Sequence, residues 1–233
     1  MARPFLSLVI TVSHAAETLP LELIEADRVF SEAEFSYEII VVDDGSDDGT
    51  SDIAKKLGAA LKNVKVIDNT GRRGIGTAAV IGMLSARGNW RVLIKEPLRM
   101  PWPLLCEELS RLRSDVERDV LVFRRNPLFL IRLLEGVEGA LLRLVFRSHI
   151  LDFHPAALCF SGETATHIFQ KVMTKRDAAI FESLLLAERM KYRVLRKVLP
   201  GIRYVSIRPK RYLQTLYETS KIRWWLWRKK YHI

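Results

Sequence analysis

Cysteine is scarce: the 233 residues hold only Cys106 and Cys159, far apart and without a second cysteine or a histidine at ligand spacing. That excludes a disulfide framework, gives no zinc pattern, and leaves two buried thiols in a reducing compartment as the plain expectation. No apolar run reaches the roughly 18 residues of a membrane-spanning helix. The apolar start, Phe5 to Ile10, meets polar residues too soon for a signal-peptide core and reads as a first strand. The five histidines, His14, His149, His154, His167 and His232, share no metal-ligand spacing. There is no internal repeat, no low-complexity tract and no linker before about residue 205. With 48% hydrophobic residues the chain is not a disordered tail, and its length suits one compact domain.

Acidic residues are the second scarcity, and it is local. The chain carries +10, but residues 183–233 hold 14 Lys and Arg against Glu188 and Glu218, a net of +12 that leaves −2 on the first 182. The closing stretch has five basic residues, three tryptophans and no acid: Lys221-Ile222-Arg223-Trp224-Trp225-Leu226-Trp227-Arg228-Lys229-Lys230-Tyr231-His232-Ile233. Cations beside Trp make the composition of a membrane-interface segment, with Trp224, Trp225, Trp227, Arg228, Lys229 and Lys230 as its contact residues. Two other readings stay open: the tryptophans pack back onto the body, or the segment tracks nucleic acid by charge and stacking, though no nucleic-acid module accompanies it. The resulting division is a domain over 1–205 and a basic, Trp-rich tail over 206–233.

Along the chain, Ser7 to Val12 reads as a strand, and a helix follows over Leu19 to Phe30 with Leu21, Ile24, Val29 and Phe30 expected on one face. Tyr37 to Val42 is a near-continuous apolar run of the kind that fills a central parallel strand, and it ends in an acidic, glycine-rich loop, Asp43 to Thr50. A helix over Ser51 to Leu61, a strand at Val64 to Ile67, a loop from Gly71 to Gly76, a helix to about Ala86 and a strand at Arg91 to Ile94 complete the alternation. Further helices are expected over Leu104 to Arg113 and, amphipathic and either core or interface, over Pro127 to Phe146. The β-α-β-α-β order predicts a mostly parallel α/β sheet with helices on both faces and a ligand beyond the carboxyl ends of the strands.

Several of these segments together resemble a known family. They are Leu6 to Ile10, the run YEIIVVDDGSDDGT from Tyr37 to Thr50, Gly74-Ile75-Gly76-Thr77-Ala78-Ala79 with Gly82-Met83-Leu84, and Ala86-Arg87-Gly88. In order and spacing they resemble glycosyltransferase family 2, and more narrowly the polyprenyl- or dolichyl-phosphate β-glucosyltransferase type. Asp152, Thr174-Lys175, Glu182, Leu186-Ala187 and Lys221 to Trp227 agree less sharply, so the resemblance spans nearly the whole chain. It implies a GT-A (Rossmann-like) fold that binds a UDP-sugar, with glucose the implied sugar, uses Mg²⁺ or Mn²⁺, and glycosylates a lipid phosphate. By resemblance Asp43 and Asp44, with Gly45 and Ser46, would meet the base and ribose, since carboxylates accept from uracil N–H and ribose hydroxyls. The alternative is a surface turn with a helix N-cap through Ser46 or Thr50. Arg72, Arg73 and Gly74 could bring guanidinium and backbone N–H groups to a pyrophosphate at a helix start, or simply form a connection.

Departures from the family pattern fall on the site itself. The Asp-x-Asp metal motif should close the strand Arg91 to Ile94, where the chain reads Lys95-Glu96-Pro97. A hard divalent ion wants carboxylate oxygens, so the usual metal site should not form and no cofactor is expected, with Lys95 a candidate to neutralise the diphosphate directly. The usual Pro-x-Tyr-Asn-Glu segment reads Thr11 to Ala15, the expected Asn and Lys around the glycine loop are Arg72 and Ile75, the expected Gly-Phe-Lys after Asp152 is Ala156-Ala157-Leu158, and an expected Asp is Ile180. Asp152 and Glu182 remain, as a base or acceptor-orienting pair or as structural caps. Two readings follow. One is a transferase moving sugar from a UDP-sugar to a polyprenyl or dolichyl phosphate, peripheral at the cytoplasmic face of a membrane. The other is a catalytically inactive relative that binds nucleotide or serves as a scaffold.

Overall fold

The computed structural model describes residues 3–71, 73–95, 99–113, 119–124, 140, 144–148, 155–202, 209–228 and 230–231, and for 209–216 the backbone alone. The apolar runs form strands β1 (Leu6–Val12), β2 (Tyr37–Asp43), β3 (Val64–Asp68), β4 (Trp90–Lys95), β5 (Val120–Arg124), β6 (Ala157–Ser161) and β7 (Val194–Val198). The helices are α1 (Leu19–Ser31), α2 (Thr50–Ala60), α3 (Ile75–Ser85), α4 (Trp102–Ser110), α5 (Gly162–Phe169), α6 (Ala178–Arg189) and α7 (Pro209–Trp227). All seven strands share one sheet in the order β3-β2-β1-β4-β6-β5-β7, parallel except for β6, which runs antiparallel to β4 and β5.

Side chains alternate across each strand, so the sheet separates two cores. Leu8, Ile10, Ile39, Val41, Val92 and Ile94 face one side with α1 and α4, while Val9, Ile40, Val42 and Leu93 face the other with α3, α5 and α6. The buried stripe of α1 is Leu19, Leu23, Ala26, Val29 and Phe30. Leu21 and Ile24, expected to share that face, are 74% and 49% exposed. At 100° per residue, positions 19, 23, 26 and 30 form a continuous stripe and 21 lies off it. Most of the expected amphipathic helix over Pro127 to Phe146 lies outside the described residues; those described within it, 140 and 144–146, are helical.

At the amino ends of the strands a buried polar network holds β1, β2 and the α3–β4 connection together. Glu38 accepts from the Ser7 hydroxyl at 2.7 Å, from the Arg87 N–H at 2.8 Å and from its guanidinium at 3.2 Å, and Lys65 lies 3.4 Å away. The Ser7 hydroxyl also accepts the Gly88 N–H at 2.7 Å. Burial alone would raise the Glu38 carboxyl, but these donors outweigh it and hold the pKa below its ordinary value. This is the structural use of Ala86-Arg87-Gly88, at the end of the sheet opposite the candidate site.

Candidate functional site

Strands β2, β1 and β4 end at one edge of the sheet. In register, Val12 stands beside Asp43 and Thr11 beside Lys95, so the two residues end the strands on either side of β1 with their side chains on opposite faces of the sheet. Two strand spacings separate them, roughly 10 Å.

Asp43 is fully buried. Its Oδ1 accepts from the Ser46 hydroxyl and its Oδ2 from the Ser46 N–H at 3.2 Å. Asp44 Oδ1 accepts from the Asn69 side-chain amide at 2.9 Å and from the Gly74 N–H at 3.0 Å. Gly45 and Gly49 adopt φ of +72° and +87°, the turn that a side chain would resist. The N-cap considered for Ser46 or Thr50 does not form. Gly49 stands at the N-cap of α2, Ser46 turns back to Asp43, and the Thr50 hydroxyl donates to Asp48 at 2.5 Å. The loop after β1 is fastened to this acidic loop by the His14 N–H on the Ser46 hydroxyl (2.9 Å), the His14 ring on Asp47 (2.8 Å) and the Ala16 N–H on Asp48 (3.1 Å). Burial raises the Asp48 carboxyl, but the donors from Thr50 and Ala16 carry it below its ordinary value.

The glycine-rich loop packs against the segment before α6. Gly74 has φ of +105°, and a Cβ there would lie 2.2 Å from the Lys175 carbonyl oxygen. That carbonyl accepts the N–H of Gly76 at 2.9 Å and of Thr77 at 3.1 Å, so the first turn of α3 is capped by the segment before α6. The missing side chains admit a neighbouring backbone, and these amides are engaged within the protein. Arg73 is exposed beside them.

Lys95 ends β4 in an ion pair with Asp177, the residue just before α6; their side chains are 18% and 14% exposed. An ammonium offers only donors, and the described residues include no group of three His, Cys, Asp or Glu able to hold a metal ion. Lys95 itself therefore cannot ligate the divalent ion that the resemblance implies, and Glu96 beside it lies outside the described residues. Glu182 is fully buried on α6, where it accepts from the N–H groups of Met173 and Thr174 and from the hydroxyls of Thr174 and Tyr231. Asp152, Arg72, Glu96, Pro97 and Lys229 lie outside the described residues.

The closing segment divides its aromatics. On α7, Ile222 is fully buried and Trp225 packs against the core, while Trp224 and Trp227 are 45% and 76% exposed. The Arg228 guanidinium lies 4.2 Å over the Trp224 ring, with Lys230 at 5.5 Å. No described helix is long and apolar enough to cross a membrane.

Sequence reasoning missed Asp177 and Asn69. A lysine at a half-buried strand end demands an acid, but nothing local says which acid 82 residues away supplies it. Asn69 follows β3 directly, and a polar residue at the carboxyl end of a parallel strand was a usable signal.

Together, the mostly parallel sheet, the flanking helices and the acidic loop after β2 define a GT-A fold. Residues 22–94 match the profile of Glycosyl transferase family 2, and the chain carries a domain of that family. It is 32% identical over 177 residues to a dolichyl-phosphate beta-glucosyltransferase of Drosophila melanogaster, covering 67% of this chain and 53% of that protein. The human protein of the same name is 28% identical over 212 residues, covering 80% of this chain and 64% of its own length. The chain thus spans 53–64% of these relatives. In fold it is similar to glucosyl-3-phosphoglycerate synthase from Mycobacterium tuberculosis, solved with Mn²⁺ and UDP-glucose, at a TM-score of 0.69 and 16% identity, covering 91% of this chain and 75% of that one.

Proposed function

We propose that this domain binds a UDP-sugar across the carboxyl ends of β2, β1 and β4 and transfers the sugar, glucose by its relatives' names, to a polyprenyl or dolichyl phosphate at a membrane surface. The observation that carries this is the pairing of Asp43 and Asp44 at the end of β2 with a cation, Lys95, at the end of β4. The carboxylates would accept from the uracil N–H and the ribose hydroxyls, and Lys95 would face the diphosphate.

In the transfer, an oxygen of the acceptor phosphate forms a bond to the anomeric carbon while the bond from that carbon to the diphosphate oxygen breaks. The leaving UDP takes the electron pair, and Lys95 stabilises the charge that develops there. The acceptor phosphate is already ionised at neutral pH, so the step needs no general base. The tail over 206–233 would serve as the interfacial appendage on the cytoplasmic face, with Trp224 and Trp227 towards the lipid and Arg228, Lys229 and Lys230 towards anionic headgroups.

A second reading, a nucleotide-binding protein without turnover, is favoured by the Lys95–Asp177 pair and by the engaged amides of Gly76 and Thr77. Calorimetric titration with UDP and UDP-glucose, with and without Mn²⁺, tests the site, and labelled sugar transfer to a polyprenyl phosphate separates the two readings. Binding that ignores Mn²⁺ and fails in Asp44→Asn is expected. Absence of UDP binding under every condition refutes both.

A further inference from the structure

Tyr231 and Glu182 tie the end of the chain to the loop that builds one wall of the candidate site. Glu182 Oε2 accepts from the Thr174 N–H at 2.8 Å and its hydroxyl at 2.6 Å; Oε1 accepts from the Met173 N–H at 3.0 Å and from the Tyr231 hydroxyl at 2.5 Å. Tyr231 is buried, and its carbonyl accepts from the Lys171 ammonium at 3.0 Å. Tyr231 therefore reaches the loop at 171–174 directly through its main-chain oxygen on Lys171 and indirectly through its phenol on Glu182, which holds Met173 and Thr174.

The next residues of that loop reach the site directly. The Lys175 carbonyl caps Gly76 and Thr77, beside the Gly74 N–H that donates to Asp44, and Asp177 holds Lys95. A second contact from the chain's last helix grips the far end of the same loop: Glu218 on α7 is mostly buried, lies beside the Ala178 N–H and stands 3.9 Å from the Arg176 guanidinium. The loop between these two contacts touches both Asp44's neighbour Gly74 and Lys95.

We infer that Tyr231 is a positioning residue: through Glu182 it fixes the loop at 173–177, and with it the first turn of α3 and the partner of Lys95. This assigns Glu182 to the same device, with its oxygens turned to the loop and the tail. The inference rests on the reading of Asp44 and Lys95 as ligand-facing only for its effect on binding; the ordering of the loop stands on the hydrogen bonds alone.

Hydrogen exchange on the full chain, comparing wild type with Tyr231→Phe and Ile222→Ala, tests it. Tyr231→Phe removes one hydroxyl and should speed exchange at the amides of Met173, Thr174, Gly76 and Thr77 at least tenfold, with β1 and β2 unchanged. Ile222→Ala, which removes apolar packing of α7, should not single out those amides. Lys171→Met removes the other tie and should accelerate the same set more weakly, which keeps the test open if Tyr231→Phe folds poorly. UDP affinity should fall at least threefold in Tyr231→Phe. Unchanged exchange at the four amides overturns the inference, and so does equal UDP affinity in a wild type that binds UDP. A wild type that binds no UDP refutes the proposed function instead, and the exchange result then decides this inference by itself.

Discussion

The Lys95–Asp177 pair is the most informative place to perturb. Two opposite unit charges 4 Å apart attract by about 4 kcal/mol at an effective dielectric of 20. Both side chains are largely but not wholly buried, at 18% and 14% exposure, so desolvation opposes the attraction and solvent screens part of it. Removing one partner leaves the other charge half-buried and less well compensated, at a cost of about 2 kcal/mol, while removing both leaves no charge to desolvate. Urea unfolding of Lys95→Met, Asp177→Asn and the double variant should therefore give two destabilised singles and a double within about 1 kcal/mol of wild type. With each single costing about 2 kcal/mol and the double at most about 1, that is a coupling of about 3 kcal/mol or more. The same variants divide the functional readings. Lys95→Met should lower UDP affinity at least tenfold, whereas Asp177→Asn, which takes away a competing carboxylate but leaves the Lys175 carbonyl on Gly76 and Thr77 in place, should raise it severalfold. Singles costing under about 0.5 kcal/mol that simply add in the double would refute a coupled pair, and unchanged UDP affinity in both would refute Lys95 as the countercharge.

Other expectations test the frame around the site. Glu38→Gln leaves the Ser7 and Arg87 donors with a weaker acceptor and should cost roughly 2 kcal/mol in urea unfolding at pH 7. Because the folded-state pKa of Glu38 is lowered, its stabilisation is present above the unfolded carboxyl value and is lost as pH falls through the folded one, so the difference should shrink at pH 4 and below. Gly74→Ala meets both a positive φ and the Lys175 carbonyl, and should destabilise by about 2 kcal/mol or more and reduce UDP binding with it. Trp227→Ala removes the most exposed of the described aromatics of α7 and should weaken partitioning onto anionic vesicles about tenfold with little change in folding stability, read by co-sedimentation.

The first half of the fold is legible because its central strands are apolar runs set off by breakers: Tyr37 to Val42 before the acidic loop, Arg91 to Ile94 after Gly88. Beyond residue 113 that punctuation fails. Strands β5, β6 and β7 are five residues each, and the antiparallel insertion of β6 between β4 and β5 is fixed by contacts some 65 residues apart in sequence, Val92 beside Cys159 among them. Leu21 and Ile24 were misplaced for a related reason: an apolar residue on a helix marks the buried face only in company with its neighbours three and four positions away. At the site, the acidic loop and the lysine at the end of β4 could be read, since strand ends carry the chemistry of such sheets. Their partners could not, because Asn69, Asp177 and the Lys175 carbonyl are brought in by tertiary packing.

That packing leaves the described polar groups of the site bonded to one another. Asp43 is held by Ser46, Asp44 by Asn69 and Gly74, and Lys95 by Asp177. A ligand entering here must exchange partners rather than find free ones, and a hydrogen bond to a charged group nets about 1.5–3 kcal/mol. Displacing Ser46 from Asp43 and Asp177 from Lys95 thus costs about what the new bonds to a nucleotide return. Affinity then depends on what need not be exchanged: the exposed Arg73 guanidinium and the order of the loop at 173–177 that Tyr231 maintains. A site of this design gains more from being held in shape than from any added contact, which is why Tyr231, far from the acidic loop in sequence, bears on the proposed binding site.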